Sequence, residues 1–263
     1  MRLIFKVVLY GIALAPLSAW GQEKVSSKTV INLEHAAEQG DPEAERLLGS
    51  LYYDGSGVPK DQEKAVTYWQ KAANDGDMKA QVLMGSAYMQ GLGGIKPDDS
   101  KAVKLWKKAA DNGDASGQFN LAGAYNRGIG GLKQDNKKAV EYYQKAAGQG
   151  DVGAQYNLGI AYYRGMGVQK DLNNAVKWFN KAAEGGDAES EYVIAAAYQN
   201  GMGGMPKDNA KAYMWLTVAM AHGNKDANEA RESMKRLMTP EEIVQGEKLA
   251  AGWQQDHPAP ASK

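Results

Sequence analysis

A glycine followed by Asp or Asn recurs at Gly40, Gly76, Gly113, Gly150, Gly186 and Gly223, with successive intervals of 36, 37, 37, 36 and 37 residues. A fixed period of this length marks an array of supersecondary units, because each unit is too small to bury its own apolar face and must stack on the next. Each unit repeats one syntax, shown most fully by GDVGAQYNLGIAYYRGMGVQKDLNNAVKWFNKAAEG from Gly150 to Gly185. Two units carry a short glycine loop (GSGVPKD, GMGVQKD), and three insert one residue (GLGGIKPD, GIGGLKQD, GMGGMPKD). A one-residue insertion that leaves both flanks in phase belongs in a loop, so each unit reads as helix A, glycine turn, helix B.

Ten aspartates stand where helices should begin: Asp41, Asp77, Asp114, Asp151 and Asp187 for the A helices, and Asp61, Asp98, Asp135, Asp171 and Asp208 for the B helices. A short carboxylate there accepts from the free N–H groups of the first turn and suits the positive end of the helix dipole. Pro42 fits a first helical position, and Pro59, Pro97 and Pro206 fall in loops, so no proline interrupts a predicted helix. Along helix A, Ala44, Leu48, Gly49 and Tyr52 share one arc of the helical wheel, as do Ala154, Leu158, Gly159 and Tyr162. The Gly49 column runs Gly49, Gly85, Ala122, Gly159, Ala195. A mid-helix glycine costs about 1 kcal/mol against alanine, so its return predicts a close helix approach. Helix B contributes Ala65, Val66, Trp69, Ala72 and Ala73, with Trp106, Tyr143, Phe179 and Leu216 in the Trp69 column.

The ends fit the same scheme. INLEHAAEQGD from Ile31 matches the second half of a B helix and predicts a half-repeat cap, while Thr239, Pro240 and Glu242 form a capping-box signature that opens a terminal helix. The first residues combine Arg2 and Lys6, an apolar run from Val7 to Leu17, and the small-residue site Ala19-Trp20-Gly21. That is the pattern of a secretory signal peptide cleaved after Gly21. The run is shorter than the ~20 residues of a membrane span, so no integral membrane segment is expected after cleavage. The expected organisation is a signal peptide over 1–21, a half-repeat cap over 22–39, and five repeats over 40–75, 76–112, 113–149, 150–185 and 186–222. Capping helices over 223–255 and a flexible tail over 256–263 complete it.

Composition narrows the function. With 43% hydrophobic and 24% charged residues the chain can bury a large core. Formal charge is zero, and becomes −2 (29 basic, 31 acidic) without Arg2 and Lys6. The signs are interspersed, which argues against a nucleic-acid partner. The chain has no cysteine, hence no disulfide, thiolate metal site or lipidated cysteine.

The unit A-x-x-x-L-G-x-x-Y-x-x-G-x-G followed by D-x-x-x-A-x-x-W and K-A-A-x-x-G, as in Ala44–Gly57 and Asp61–Gly76, resembles the Sel-one-like repeat (SLR) family, relatives of the tetratricopeptide repeat. The final KAYMWLTVAMAHGN and MTPEEI resemble the carboxy-terminal form of bacterial members. The resemblance implies an all-α, right-handed α-solenoid of helix-turn-helix SLR repeats whose A helices line a concave surface. It also implies adaptor or scaffold roles, secreted or periplasmic, including immunity proteins against toxic envelope phospholipases.

Chemistry is sparse. The G-x-G turns lack the Lys-Ser/Thr of a phosphate loop and recur five times, which fits helix-terminating glycines. His35, His222 and His257 have no ligand spacing, and His222 is expected at a helix end where a positive charge suits the dipole. No nucleophile elbow or Ser-x-x-Lys appears. No catalytic residue, metal or cofactor is predicted. What remains is variation between repeats. Positions 46, 50, 53 and 54 lie opposite the packing arc, and the resemblance turns them to the groove. They run Arg46, Val82, Phe119, Tyr156, Tyr192 in one column, Tyr53, Met89, Asn126, Tyr163, Gln199 in another, and Asp54, Gln90, Arg127, Arg164, Asn200 in a third. Aromatic and arginine side chains are favoured binding hot spots. The expected partner-binding residues are therefore Phe119, Asn126, Arg127, Tyr156, Tyr163, Arg164, Tyr192 and Gln199. The expected function is a non-enzymatic periplasmic or secreted scaffold for a protein or peptide partner, a toxic effector or envelope enzyme among the candidates. The alternative is a cell-wall enzyme acting on peptidoglycan or β-lactams.

Overall fold

The computed structural model describes residues 25–257. The signal peptide and the last six residues of the tail fall outside the described residues. Within them the chain forms α1 (Ser27–Glu38), α2 (Pro42–Asp54), α3 (Gln62–Asn74), α4 (Met78–Gln90), α5 (Asp99–Asp111), α6 (Ala115–Arg127) and α7 (Asn136–Gly148). It continues as α8 (Val152–Arg164), α9 (Leu172–Glu184), α10 (Ala188–Asn200), α11 (Asn209–Ala221), α12 (Ala227–Lys235) and α13 (Pro240–Asp256). No strand occurs among the described residues, and the fold is an α-solenoid. Even-numbered helices from α2 to α10 are the A helices, and odd-numbered ones from α3 to α11 the B helices.

The local causes are those the sequence carries. All ten aspartates accept from a first-turn backbone N–H, for instance Asp41 from Glu43 and Ala44, Asp135 from Lys138, and Asp171 from Asn173 and Asn174. The A helices end on a glycine in the left-handed region, as at Gly165 with φ 73°, whose N–H reaches Ala161 O. Pro42 occupies the first turn of α2, and the Thr239 box at α13 is closed in both directions by Glu242.

The chain divides inside α7 into two compact units, one ending at Tyr142 and one starting at Tyr143. In the first, helices α1 to α5 each pack on the next, as does α5 on α6, and α4 also touches α6. Its core is built on Leu48, Trp69, Met84, Trp106 and Leu121. The indole N–H of Trp69 donates to Ser50 Oγ (3.2 Å) and that of Trp106 to Val82 O (3.3 Å), so neither buried ring leaves an unpaired donor. A Cβ added at Gly49 would stand 2.6 Å from Trp69, and one at Gly85 would strike Trp106. The glycine column is therefore the slot that admits the ring of the following B helix.

In the second unit α8, α9, α10 and α11 stack in order, and α12 and α13 both pack on α11. Leu158, Phe179, Ile194 and Val218 are among its largest fully buried side chains. Gly159 faces Phe179 as Gly49 faces Trp69, at 2.6 Å from an added Cβ. Trp253 of α13 packs on Trp215 with ring centroids 4.8 Å apart, and His257 stacks on Trp253 at 3.9 Å.

Candidate partner-binding surface

Four positions per A helix were expected to face a free wall, and the structure frees fewer. Helix α4 is flanked by the preceding B helix, its own B helix and the next A helix, namely α3, α5 and α6. Contact on three sides leaves a narrow solvent stripe in place of the broad free arc of a helix packed on one face. The Arg46 column is buried at Arg46 and Tyr156 and half-buried at Val82, Phe119 and Tyr192. Arg46 is buried, with Nε 3.2 Å from Asp77 Oδ2 and a terminal nitrogen 3.1 Å from Glu43 Oε1. Ser50 is buried beneath it, donating to Arg46 O and accepting from Trp69.

Tyr156 is the clearest correction. It was expected as a surface anchor, yet it is 2% exposed and meets Phe179 edge-on with centroids 5.7 Å apart. Burial pushes its hydroxyl up to about 12, with Glu189 raising it and Arg164 lowering it. It is a packing residue of the second unit. Asn126 is half-buried, and its amide donates to Asn136 Oδ1 (3.1 Å) while its carbonyl accepts from Gln134 (2.9 Å). It thus ties the glycine loop to the start of α7.

The other candidates stay at the surface. In the first unit Phe119 is half-buried and Arg127 exposed, the latter donating from Nε to Gly123 O (3.2 Å). In the second, Tyr163, Tyr192 and Gln199 are half-buried and Arg164 is exposed. Lys170 Nζ lies 5.8 Å from the Tyr163 ring. The Tyr192 hydroxyl is raised by burial and then by the carboxylates of Asp226, Glu189 and Glu229, so acidic groups flank that end of the stripe. Every member of the last column, Asp54, Gln90, Arg127, Arg164 and Asn200, is exposed. Each unit thus presents a stripe of half-buried apolar or amide side chains edged by an exposed polar column. Charges of both signs fit a partner that itself offers both.

Sequence reasoning missed an interior polar column four residues after each A-helix cap: Glu45, Gln81, Gln118, Gln155, Glu191, all buried. Gln81 donates to Ala73 O (3.3 Å) and Gln155 to Ala147 O (3.5 Å), each reaching eight residues back to the preceding B helix. The recurrence itself was the available signal. In the last repeat Glu191 instead meets His222 Nδ1 at 2.7 Å. His222 was expected to carry a charge at a helix end. It does cap α11, but burial lowers its pKa and favours the neutral ring.

The Sel1 repeat family model matches residues 42–77, 79–114, 115–151, 152–187 and 188–224, well over half of the chain. The chain belongs to the Sel1 repeat family. A Sel1 repeat protein from Oxalobacter formigenes is similar in structure, with 31% identity, 85% of this chain and 95% of that one covered, and a TM-score of 0.68. So is c5321, a protective antigen with an SLR fold present in uropathogenic Escherichia coli strains, at 26% identity, 87% and 56% coverage, and a TM-score of 0.57. No curated protein matches the chain. Sel1 repeats are typically non-enzymatic protein-interaction modules. Among the described residues no group of three or more His, Cys, Asp or Glu is arranged to hold a metal ion, and no helix is long and apolar enough to cross a membrane.

Proposed function

We propose that this Sel1 repeat protein is a non-catalytic scaffold, outside the cytoplasm, that holds a protein or peptide partner on the A-helix stripes. One observation carries the proposal: the last column is exposed in all five repeats while its residue type changes from Asp to Gln, Arg, Arg and Asn. Positions under a local structural duty keep their chemistry from repeat to repeat, as the ten cap aspartates do. A position released from that duty that still sits beside aromatic side chains is where a partner can be read. Phe119 and Arg127 serve the stripe of the first unit, and Tyr163, Arg164 and Tyr192 that of the second. The location outside the cytoplasm is supported by the charged, apolar and small-residue order of residues 1–21.

The test is capture of a partner from an envelope extract by the purified chain, compared with Arg127→Glu and Arg164→Glu variants. Both positions are exposed, the helical signal and melting temperature are measured alongside, and each change is expected to cut recovery at least tenfold, in line with ~2 kcal/mol for a hot-spot arginine. Undiminished recovery by both variants would overturn the proposal. In its narrowest form the partner is a toxic envelope phospholipase, and co-expression would then rescue cells from that enzyme. Turnover of peptidoglycan fragments or β-lactams by the pure chain would favour an enzyme instead.

A further inference from the structure

The most unusual group in the molecule lies away from the stripes, where the last repeat meets the terminal helices. Glu191, in the first turn of α10, is 0% exposed. Its Oε1 is 2.7 Å from Nδ1 of His222, which caps α11 and whose side chain is 7% exposed. Thirty-one residues separate the two in sequence. Two residues beyond His222, the buried Asn224 donates to Ala188 O at the start of α10 (3.4 Å) and accepts from the backbone N–H groups of Asp226 and Ala227, which open α12. The carboxyl–imidazole pair and Asn224 thus form one polar seam joining α10, the end of α11 and the start of α12.

We infer that this seam is a proton-operated latch: one proton shared between Glu191 and His222 holds the terminal helices against the last repeat, and its loss at mildly alkaline pH releases them. Among the ion pairs of the described residues Glu191 meets His222 and no lysine or arginine. On α10, Asp187 and Glu189 add negative charge at the same end. On α9, which packs against α10, Lys181 lies over Trp178 and Glu184 is bonded to Asn180. On α11 the other cation, Lys211, sits ten residues before the helix end beside Asp208. On α12, Asp226 and Glu229 are acidic, Arg231 pairs with Glu232 and lies over the Tyr213 ring, and Lys225, just before the helix, is exposed. A fully deprotonated pair would leave a carboxylate buried at 0% exposure among acids, the arrangement that burial penalises most.

The sign follows from proton counting. In the unfolded chain the carboxyl titrates near its ordinary value of 4.5 and the imidazole near 6.5. In the fold, burial and then Asp187 raise Glu191 to about 8, while burial lowers His222. Just below 6.5 the unfolded chain holds its proton on the imidazole and the folded pair holds its own on the carboxyl, so the pair contributes little pH dependence there, while Asp187, which burial raises to about 6, titrates in the fold below that range. From about 6.5 to about 8 the folded pair keeps its proton and the unfolded chain has lost it, so stability falls as pH rises by up to tenfold in the equilibrium constant per pH unit.

The test is hydrogen exchange of α12 and α13 backbone amides in the intact chain from pH 5 to pH 9, expressed as protection factors to remove the intrinsic pH dependence. In the wild type, protection is expected to fall by on the order of 30-fold between pH 6.5 and pH 8, with protection in the first unit as the internal reference. Glu191→Gln installs the residue native at positions 81, 118 and 155, and it should abolish that fall. His222→Asn installs the residue found at the α5 end, Asn112, and should extend the fall downward to begin near pH 4.5. Parallel profiles for wild type and both variants would overturn the latch, as would a wild-type fall shared equally by the first unit.

Discussion

The first and fifth repeats depart from the middle ones at the same interior position, and they resolve it differently. In the first, Glu45 is 4% exposed, and burial raises its carboxyl pKa while Lys71 opposes and Asp75 and Asp41 reinforce the rise. The next residue, Arg46, is buried and holds Asp77, the cap of the following A helix, so that a single side chain bolts one repeat to the next. In the fifth, Glu191 takes the Glu45 place, Tyr192 replaces Arg46, and His222 stands where the first repeat has Asp75. The middle repeats use glutamine, which is neutral and at Gln81 and Gln155 donates to the preceding B helix. A carboxyl is thus tolerated in this slot where a neighbour offers compensation, a lysine at one end and an imidazole at the other. The arginine bolt is a separate device found at the first of these two positions.

The largest expected effect breaks the comparison at Arg46. Arg46→Ala strands Asp77 with its backbone cap as its main partner, and should cost about 3 kcal/mol in urea unfolding, because removing one member of a buried pair leaves an uncompensated charge. Tyr192→Ala, at the matching place in the fifth repeat, removes a half-buried ring and should cost about 1–2 kcal/mol. Equal costs would mean that the bolt adds nothing beyond packing. The glycine slot gives the next contrast. Gly49→Ala forces a methyl to within 2.6 Å of Trp69 and should cost about 2 kcal/mol, whereas Ala195→Gly in the fifth repeat, which carries Leu216 in the ring column, loses only helix propensity, about 1 kcal/mol. Thermal melts of the two variants measure the difference directly.

These contrasts also mark how far the sequence could be read. Periodicity located all ten repeat helices, because a cap aspartate and a terminating glycine act within one turn and need no knowledge of the neighbours. The slot at Gly49 was legible for the same reason: a glycine repeated in mid-helix has few other causes. The solvent stripe was legible only in part. A helical wheel separates faces but does not say how many of them are covered, and packing buried Arg46, Ser50 and Tyr156 while leaving Arg127, Tyr163 and Arg164 at the surface. The Glu191–His222 pair was out of reach for a different reason. The two residues are 31 apart and the histidine has no partner of its own type, so only the closing of α10 against the end of α11 brings them together.

The smallest effect sharpens the comparison at Glu45 itself. Glu45→Gln should let the new amide reach Ala37 O, eight residues back, as Gln81 reaches Ala73 O, and one such bond is worth about 1 kcal/mol. The gain should depend on pH with a definite sign. Glu45 has a folded-state pKa above its ordinary value of 4.5, so the stability that its protonated form contributes is present below 4.5 and is lost as pH rises through the folded value. Melting temperatures of wild type and Glu45→Gln should therefore converge at pH 4 and separate at pH 7 in favour of glutamine. Adding Lys71→Ala to the wild type should widen the separation, since Lys71 is the group that steadies the carboxylate. A gain that is the same at both pH values would show that the carboxyl is already satisfied in the fold, and that the first repeat does not differ from the fifth in the way its charge is held.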